Sequence, residues 1–178
     1  MPSIPACRTS ASVRYRRPRL DDAAAVHELV DACRPLDLNS PYAYLLLCTH
    51  FADTCAVGEG ESSLVGFVGG YLKPGDRSVL FIWQIAVSSR VRGQGVGTAL
   101  LHELVDRPCC ADVDSIETTV TPSNAPSRAL FHAFAKARKA TCVETALFGE
   151  KDFGTIRHEE ERLLRIGPLT QTQREVAD

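Results

Sequence analysis

Apolar and polar positions along this chain change period repeatedly, and the changes divide it into strand-like and helix-like segments. Val13, Tyr15 and Arg17 share one side of a period-two run that stops at Pro18, which predicts a first strand. Ala25, Val26, Leu29, Val30 and Cys33 then recur at helical spacing behind Asp21 and Asp22, two carboxylates suited to a helix start. The loop RPLDLNSP leads into YAYLLLCTHFADT, a second helix with Ser40 as its cap and Pro41 in its first turn. CAVGE (55–59) and SLVGFVGGYLKP (63–74) read as strands joined by a turn from Gly58 to Ser63. SVLFIWQIAV (78–87) is a third strand, nearly all apolar, entered through the turn GDRS. A glycine-rich run follows, then a helix GTALLHELVDR broken at Pro108, a strand SIETTV (115–120) and a helix NAPSRALFHAFAKA (124–137). CVETALFG (142–149) and ERLLRIGPL (161–169) are late strands.

The predicted order is β α α β β β α β α β β, with no internal repeat. A meander that feeds a β-α-β unit points to an α+β, three-layer fold with a mixed central sheet and helices on both faces. One domain over residues 13–168 is expected. The proline-bearing start (1–12) and the polar end (169–178) read as flexible tails.

Composition narrows the function classes. The 178 residues are 44% hydrophobic, with a net charge of −2 and a pI near 6.2, enough for one sizeable core and no electrostatic reason to expect nucleic acid as a partner. Apolar runs fall short of the roughly 20 residues that a membrane helix needs, and no signal-peptide core is visible, so the expected location is cytoplasmic. Seven cysteines without a CxxC pair fit reduced, mostly buried thiols. The five histidines form no ligand-spaced cluster, and no metal is expected.

The chemistry concentrates in QIAVSSRVRGQGVGTALLHEL, where Gly93, Gly95 and Gly97 alternate between a strand and a helix. A helix N-terminus carries unpaired N–H groups and the positive end of the helix dipole, so it can hold a phosphate that the preceding loop lets approach. Glycines clear that approach, and Arg90 and Arg92 add cationic donors: the run describes a pyrophosphate cradle. A Walker loop would need a lysine followed by Ser or Thr, and Thr98 and Ala99 stand there instead. A dinucleotide fingerprint would need its third glycine three positions after the second. A glycine loop with only a turn to make stays open as the plain alternative.

AVSSRVRGQGVGTALL resembles motif A of the GCN5-related N-acetyltransferases, with Arg92, Gly95 and Gly97 meeting the pattern (Arg or Gln)-x-x-Gly-x-(Gly or Ala). NAPSRALFHAF is similar to that family's motif B. The resemblance covers residues 13–166 and implies the acyl-CoA N-acyltransferase fold, acetyl-CoA as co-substrate, and a strand 78–87 that splays from SIETTV to let the pantetheine arm in. It implies that Ile85, Ala86, Val87, Arg92, Gly93, Gln94, Gly95, Val96, Gly97, Thr98, Asn124 and Ser127 hold the coenzyme. It also implies a homodimer, direct transfer in a ternary complex, and a Val87 N–H that polarises the thioester carbonyl.

PLDLNSPYAYLLLCTHFADTC, with WQIAVSSRVRGQGVG, TPSNAPSRALF and GEKDFGTIRHEEERLLRIGPL, further resembles the diaminobutyrate acetyltransferase family. Its members acetylate the 4-amino group of L-2,4-diaminobutyrate in the biosynthesis of the osmoprotectant ectoine. Such an acceptor, with two ammonium groups and one carboxylate, calls for anionic partners and an aromatic wall. Asp37, Asn39, Glu159, Glu160 and Glu161 are candidates for polar contact, and Tyr42, Tyr44 and Trp83 for the wall. His158 and Glu161 are the candidate bases, beside an expected hairpin at Phe153 to Ile156. Many relatives carry a glutamate on the Trp83 strand and a tyrosine in the motif B helix, whereas this chain has Gln84 and Phe131. Cys33 and Cys142 are thiols for which spacing offers no histidine partner. The remaining alternatives are an acetyltransferase of another small amine or a protein N-terminus, and a non-catalytic sensor of CoA.

Overall fold

A computed structural model describes residues 12–169. The two expected tails lie outside these residues apart from their inner ends. Leu169 departs from the expectation of a loose end: it is buried, and its N–H donates to the Asp114 carbonyl.

Seven strands form one sheet in the order β1-β2-β3-β4-β5-β7-β6: β1 Arg14–Arg16, β2 Cys55–Glu59, β3 Leu64–Leu72, β4 Val79–Val87, β5 Ser115–Val120, β6 Thr141–Phe148 and β7 Glu161–Gly167. Only β4 and β5 run parallel; every other neighbouring pair is antiparallel. Four helices cover it: α1 Ala23–Asp31, α2 Pro41–Thr49, α3 Val96–Val105 and α4 Ala125–Ala137. The predicted element order and mixed three-layer class are those observed.

Each face has its own core. Val26, Val30, Tyr44, Leu47 and Cys48 of α1 and α2 bury against Val57 and Phe67. On the other face Leu100, Leu101 and Leu104 of α3 and Phe131 and Phe134 of α4 bury against Leu80, Ile82, Ile116 and Leu164. Apolar area withdrawn on both sides of β3 and β4 explains their lack of alternation in sequence. Ser40 caps α2 as expected, its hydroxyl accepting from the Ala43 N–H at 3.3 Å. α1 starts later than the Asp21–Asp22 pair suggests, because Leu20–Asp22 wind into a 3-10 turn and Asp22 instead takes a bidentate pair of hydrogen bonds from Arg16. The hairpin expected at Phe153 to Ile156 is replaced by a 3-10 turn at Glu150–Phe153 inside the long β6 to β7 connection.

Two departures from regular pairing open the molecule. β4 pairs with β5 only from Val79 to Ile82, where the Thr118 hydroxyl closes on the Ile82 carbonyl at 2.9 Å. Beyond that point β5 pairs with β7 alone, and a gap opens beside Trp83–Val87. In the β3–β4 ladder Gly69 faces Gln84 while Gly70 faces Ile82, which leaves Trp83 as the extra residue of a β-bulge. Six free cysteines lie among the described residues, four of them buried. No described helix is long and apolar enough to cross a membrane.

Candidate active site

The gap between β4 and β5 joins two cavities of about 440 Å³ each. The first lies over the glycine loop and the starts of α3 and α4. Gly93 and Gly95 have φ of +75° and +80°, and an added Cβ at either would meet nothing within 4 Å. Their glycines therefore serve the left-handed backbone that turns the loop into α3, and they leave the space over the loop open. Gly97 has a third role: a Cβ there would stand 3.1 Å from Leu130, so it lets α3 approach α4. With Gly95 as N-cap, the first turn of α3, whose N–H groups have no acceptor within the helix, borders this cavity.

Arg92, Val96 and Thr98 line the cavity with the two loop glycines and Gly97. Arg92 Nε donates to the Val87 carbonyl at 3.1 Å, which ties the loop to the strand end. Gln94 turns outward, its amide directed at the Arg90 carbonyl, and is absent from the lining. Asn124 caps α4 by accepting from the Ser127 N–H at 3.2 Å, and both residues line both cavities.

The strand residues divide by register. Ser88 N–H donates to the Val65 carbonyl at 2.9 Å, so antiparallel alternation turns the N–H of Val87, opposite Gly66, away from β3 and into the gap. Ile85 shares that orientation. Ala86 does not: its backbone belongs to the β3 ladder, its side chain is buried, and it is absent from the lining of the first cavity.

The second cavity is walled by the 35–39 loop, Trp83, Gln84, the end of β5 and the 157–161 segment. Trp83, pushed out by the bulge, is 47% exposed in this wall. Asp37 Oδ2 lies 3.4 Å from His158 Nε2. His158 Nδ1 donates to the Glu159 carbonyl at 2.7 Å, and the ring stacks on Phe153 with centroids 4.1 Å apart. Both ring nitrogens face acceptors, which holds His158 toward the imidazolium and raises its pKa above 6.5, first through the Glu159 carbonyl and then through Asp37. Both ring N–H groups of that imidazolium are engaged, so in its expected part as base His158 would first have to release one of these partners.

The glutamate run resolves by partner. Glu159 accepts from the Ser123 N–H and hydroxyl, pinning the segment to the turn before α4. Glu160 pairs with Arg162. Glu161 faces the cavity, and its Oε2 is buried with no hydrogen-bond partner among the described residues. Burial pushes its carboxyl above the ordinary 4.5, opposed by the Thr119 hydroxyl and by the His158 charge.

Two aromatic candidates lie elsewhere than expected. Tyr42 is 67% exposed on α2 and lines neither cavity. Tyr44 is fully buried, and its hydroxyl donates to Gln84 Oε1 at 3.0 Å and accepts from the Asn39 N–H at 3.3 Å. Thr119, Thr121 and Arg157 line the second cavity, unforeseen as ligand contacts. Cys33 borders the first cavity with its thiol donating to the Val87 carbonyl at 3.4 Å, and Cys142 has its thiol pushed up by burial, so neither is set up as a nucleophile. The described residues contain no group of three or more side chains able to hold a metal.

The family model for the Acetyltransferase (GNAT) family matches residues 23–135. The L-2,4-diaminobutyric acid acetyltransferase of Bordetella parapertussis is 47% identical over 172 residues, 95% of this chain and 92% of that one. The enzyme of the same name from Virgibacillus pantothenticus is 45% identical over 85% of this chain and 96% of its own. The diaminobutyrate acetyltransferase EctA from Paenibacillus lautus, solved with L-2,4-diaminobutyric acid and coenzyme A, superposes with a TM-score of 0.86 at 41% identity, covering 92% of this chain and 99% of that one. A GNAT-like decarboxylase, GphF, shares the fold at 15% identity and a TM-score of 0.66, so the fold alone does not select the reaction. On the family match and these identities, the chain belongs to the GNAT acetyltransferase family, alongside its L-2,4-diaminobutyric acid acetyltransferases.

Proposed function

We propose that this protein moves the acetyl group of acetyl-CoA to the 4-amino group of L-2,4-diaminobutyrate, giving N4-acetyl-L-2,4-diaminobutyrate and CoA, the reaction of the ectoine pathway. The observation that carries this reading is the second cavity: Asp37, His158 and Glu161 converge beside Trp83 where it meets the coenzyme cavity at Ile85, Asn124 and Ser127. A small amphoteric acceptor fits a site that offers both signs of charge and one aromatic wall.

The coenzyme fits the first cavity because the left-handed Gly95 presents the first turn of α3 to a pyrophosphate, and the unpaired edge of β4 offers Ile85 and Val87 backbone groups to an amide-bearing arm. When bound, acetyl-CoA supplies a thioester carbonyl to the attacking amine, and its sulfur leaves as CoA. Val87 N–H polarises that carbonyl. Asp37, whose carboxylate is open to the cavity, pairs with the 2-ammonium group; the Arg157 guanidinium donates to the substrate carboxylate, and the His158 imidazolium, its two N–H groups held by the Glu159 carbonyl and Asp37, adds positive charge beside it. Glu161 takes the proton from the 4-ammonium group, since a carboxylate made more basic by burial is better matched to an amine than an ordinary one. Phe131, buried in α4, brings no hydroxyl to the leaving thiolate. Attack is direct, in a ternary complex.

The exposed Val143, Leu147 and Phe148 on edge strand β6 support a homodimer formed along that edge; light scattering after size exclusion tests it. A CoA-dependent reaction and free cysteines support a cytoplasmic location. The reaction itself is tested by CoA release from acetyl-CoA with L-2,4-diaminobutyrate, ornithine, lysine, putrescine and a peptide amine, with mass spectrometry of the product. Preference for diaminobutyrate with acetylation at N4 is expected. Equal turnover across the panel removes the acceptor assignment, and coenzyme binding without any turnover supports a sensor of CoA.

A further inference from the structure

Gln84 occupies the strand position beside the acceptor cavity, yet it does no acid–base work there, because an amide has no proton to exchange near neutral pH. It is 9% exposed and its two ends are both engaged: Nε2 donates to the Asp37 carbonyl at 2.7 Å and Oε1 accepts from the Tyr44 hydroxyl at 3.0 Å. Tyr44 in turn accepts from the Asn39 N–H at 3.3 Å. The chain Asn39 N–H to Tyr44 to Gln84 to Asp37 carbonyl therefore closes on the 37–39 loop from both sides. Tyr44 is fixed from behind by edge contacts with His27 and Phe67, at centroid separations of 5.6 and 6.4 Å.

We infer that Tyr44 and Gln84 are positioning residues for the acceptor: together they bolt the 37–39 loop so that the Asp37 carboxylate stands opposite His158. The inference rests on the acceptor reading proposed above. It accounts for an amide at position 84. A carboxylate there could still accept from the Tyr44 hydroxyl, but its other oxygen would face the Asp37 carbonyl, acceptor against acceptor. Only a group carrying a donor at one end and an acceptor at the other satisfies both neighbours, and glutamine is the side chain of that length which does so at all ordinary pH. Tyrosine at 44 is likewise used for its tip. The ring fills the α1–α2 core, and the hydroxyl reaches the loop between these two helices.

Steady-state kinetics of Y44F and Q84E separate this role from support of the fold. Each variant is measured against diaminobutyrate at saturating acetyl-CoA and the reverse. In Y44F the KM for diaminobutyrate is expected to rise about three- to tenfold, the worth of one hydrogen bond, with the KM for acetyl-CoA unchanged because the coenzyme cavity does not include Tyr44. Q84E is expected to raise the diaminobutyrate KM by about tenfold or more at pH 8. The ratio of variant to wild-type KM then falls as pH drops, since protonation returns a donor to the side chain that faces the Asp37 carbonyl. Equal rises in both KM values, an unchanged KM for diaminobutyrate, or a Q84E ratio that ignores pH would each overturn the inference. A wild-type protein that does not acetylate diaminobutyrate would overturn the acceptor reading and this inference with it, and that failure shows in the wild type and not in the variants.

Discussion

His158 Nε2 stands 3.4 Å from Asp37 Oδ2 although 121 residues separate them in the chain, and both residues line the acceptor cavity. One partner comes from the loop between α1 and α2, the other from the segment that enters β7. Their meeting couples the charge state of the site to its shape.

The first prediction concerns that charge state. The pKa of His158 is raised above 6.5, so its cationic form is favoured in the folded protein. The stability it adds is present in full below the unfolded value and is lost as pH rises through the higher folded value. In D37N one acceptor weakens, and the midpoint of His158 followed by NMR should fall while staying above 6.5, because the Glu159 carbonyl still accepts from Nδ1. A midpoint unmoved in D37N would show that the pair does not exist in solution.

Glu161 carries the second. E161Q should lower kcat for diaminobutyrate by about 10²- to 10⁴-fold and leave acetyl-CoA binding by calorimetry intact. Because the carboxyl titrates above 4.5 and must be ionised to take a proton, the acid limb of kcat/KM should fall above that value and vanish in the variant. The variant should melt no lower than wild type at neutral pH, since it removes a buried carboxylate oxygen that has no partner among the described residues. A lowered melting temperature together with an unchanged limb would shift the base elsewhere.

The glycine loop gives a third. G95A forces a left-handed φ of +80° on a residue with a Cβ, at a cost of about 1–2 kcal/mol. Open space surrounds the position, so relaxation of the loop, and not a clash, should be the response. The KM for acetyl-CoA should rise about tenfold with that for diaminobutyrate little changed. Equal effects on both substrates would place the loop's role outside the coenzyme cavity.

Much of this architecture was legible in the pattern of apolar positions, and the reasons differ by element. Ser40 and Pro41 announced α2, because capping is local chemistry that a short stretch specifies; the Asn124 cap of α4 is of the same kind, though the expected helix over 124–137 had taken Asn124 in. The coenzyme cavity was legible for the same reason: strand end, loop and helix start are contiguous in sequence. The acceptor cavity was legible only in part: Asp37, Asn39, Trp83, His158 and Glu161, named through the resemblance, do line it, whereas Thr119 and Arg157 come from separate stretches that nothing local ties to them. Tyr44 shows the limit most clearly. Its aromatic character suggested a wall, while its burial and its hydroxyl contacts depend on where β4 passes behind it. Among Glu159, Glu160 and Glu161, neighbours of identical chemistry, only the positions of Ser123 and Arg162 distinguish the roles.

The last prediction tests how the sheet aims Trp83. Gly70 faces Ile82 across the bulge, and a Cβ added at Gly70 would stand 2.4 Å from the Phe81 carbonyl oxygen, a backbone atom that cannot step aside without moving β4. G70A should therefore destabilise the protein by about 1–3 kcal/mol and disturb the bulge. Trp83 is the sole tryptophan, so its emission reports the same event without a label. The variant is expected to show a lower melting temperature, a shifted emission maximum and a raised KM for diaminobutyrate, while G69A, whose Cβ would meet only the Phe67 ring within 3.4 Å, provides a milder comparison. If G70A melts lower yet keeps both the emission and the KM of wild type, the bulge is a device of sheet twist alone, and Trp83 owes its place in the acceptor wall to packing elsewhere.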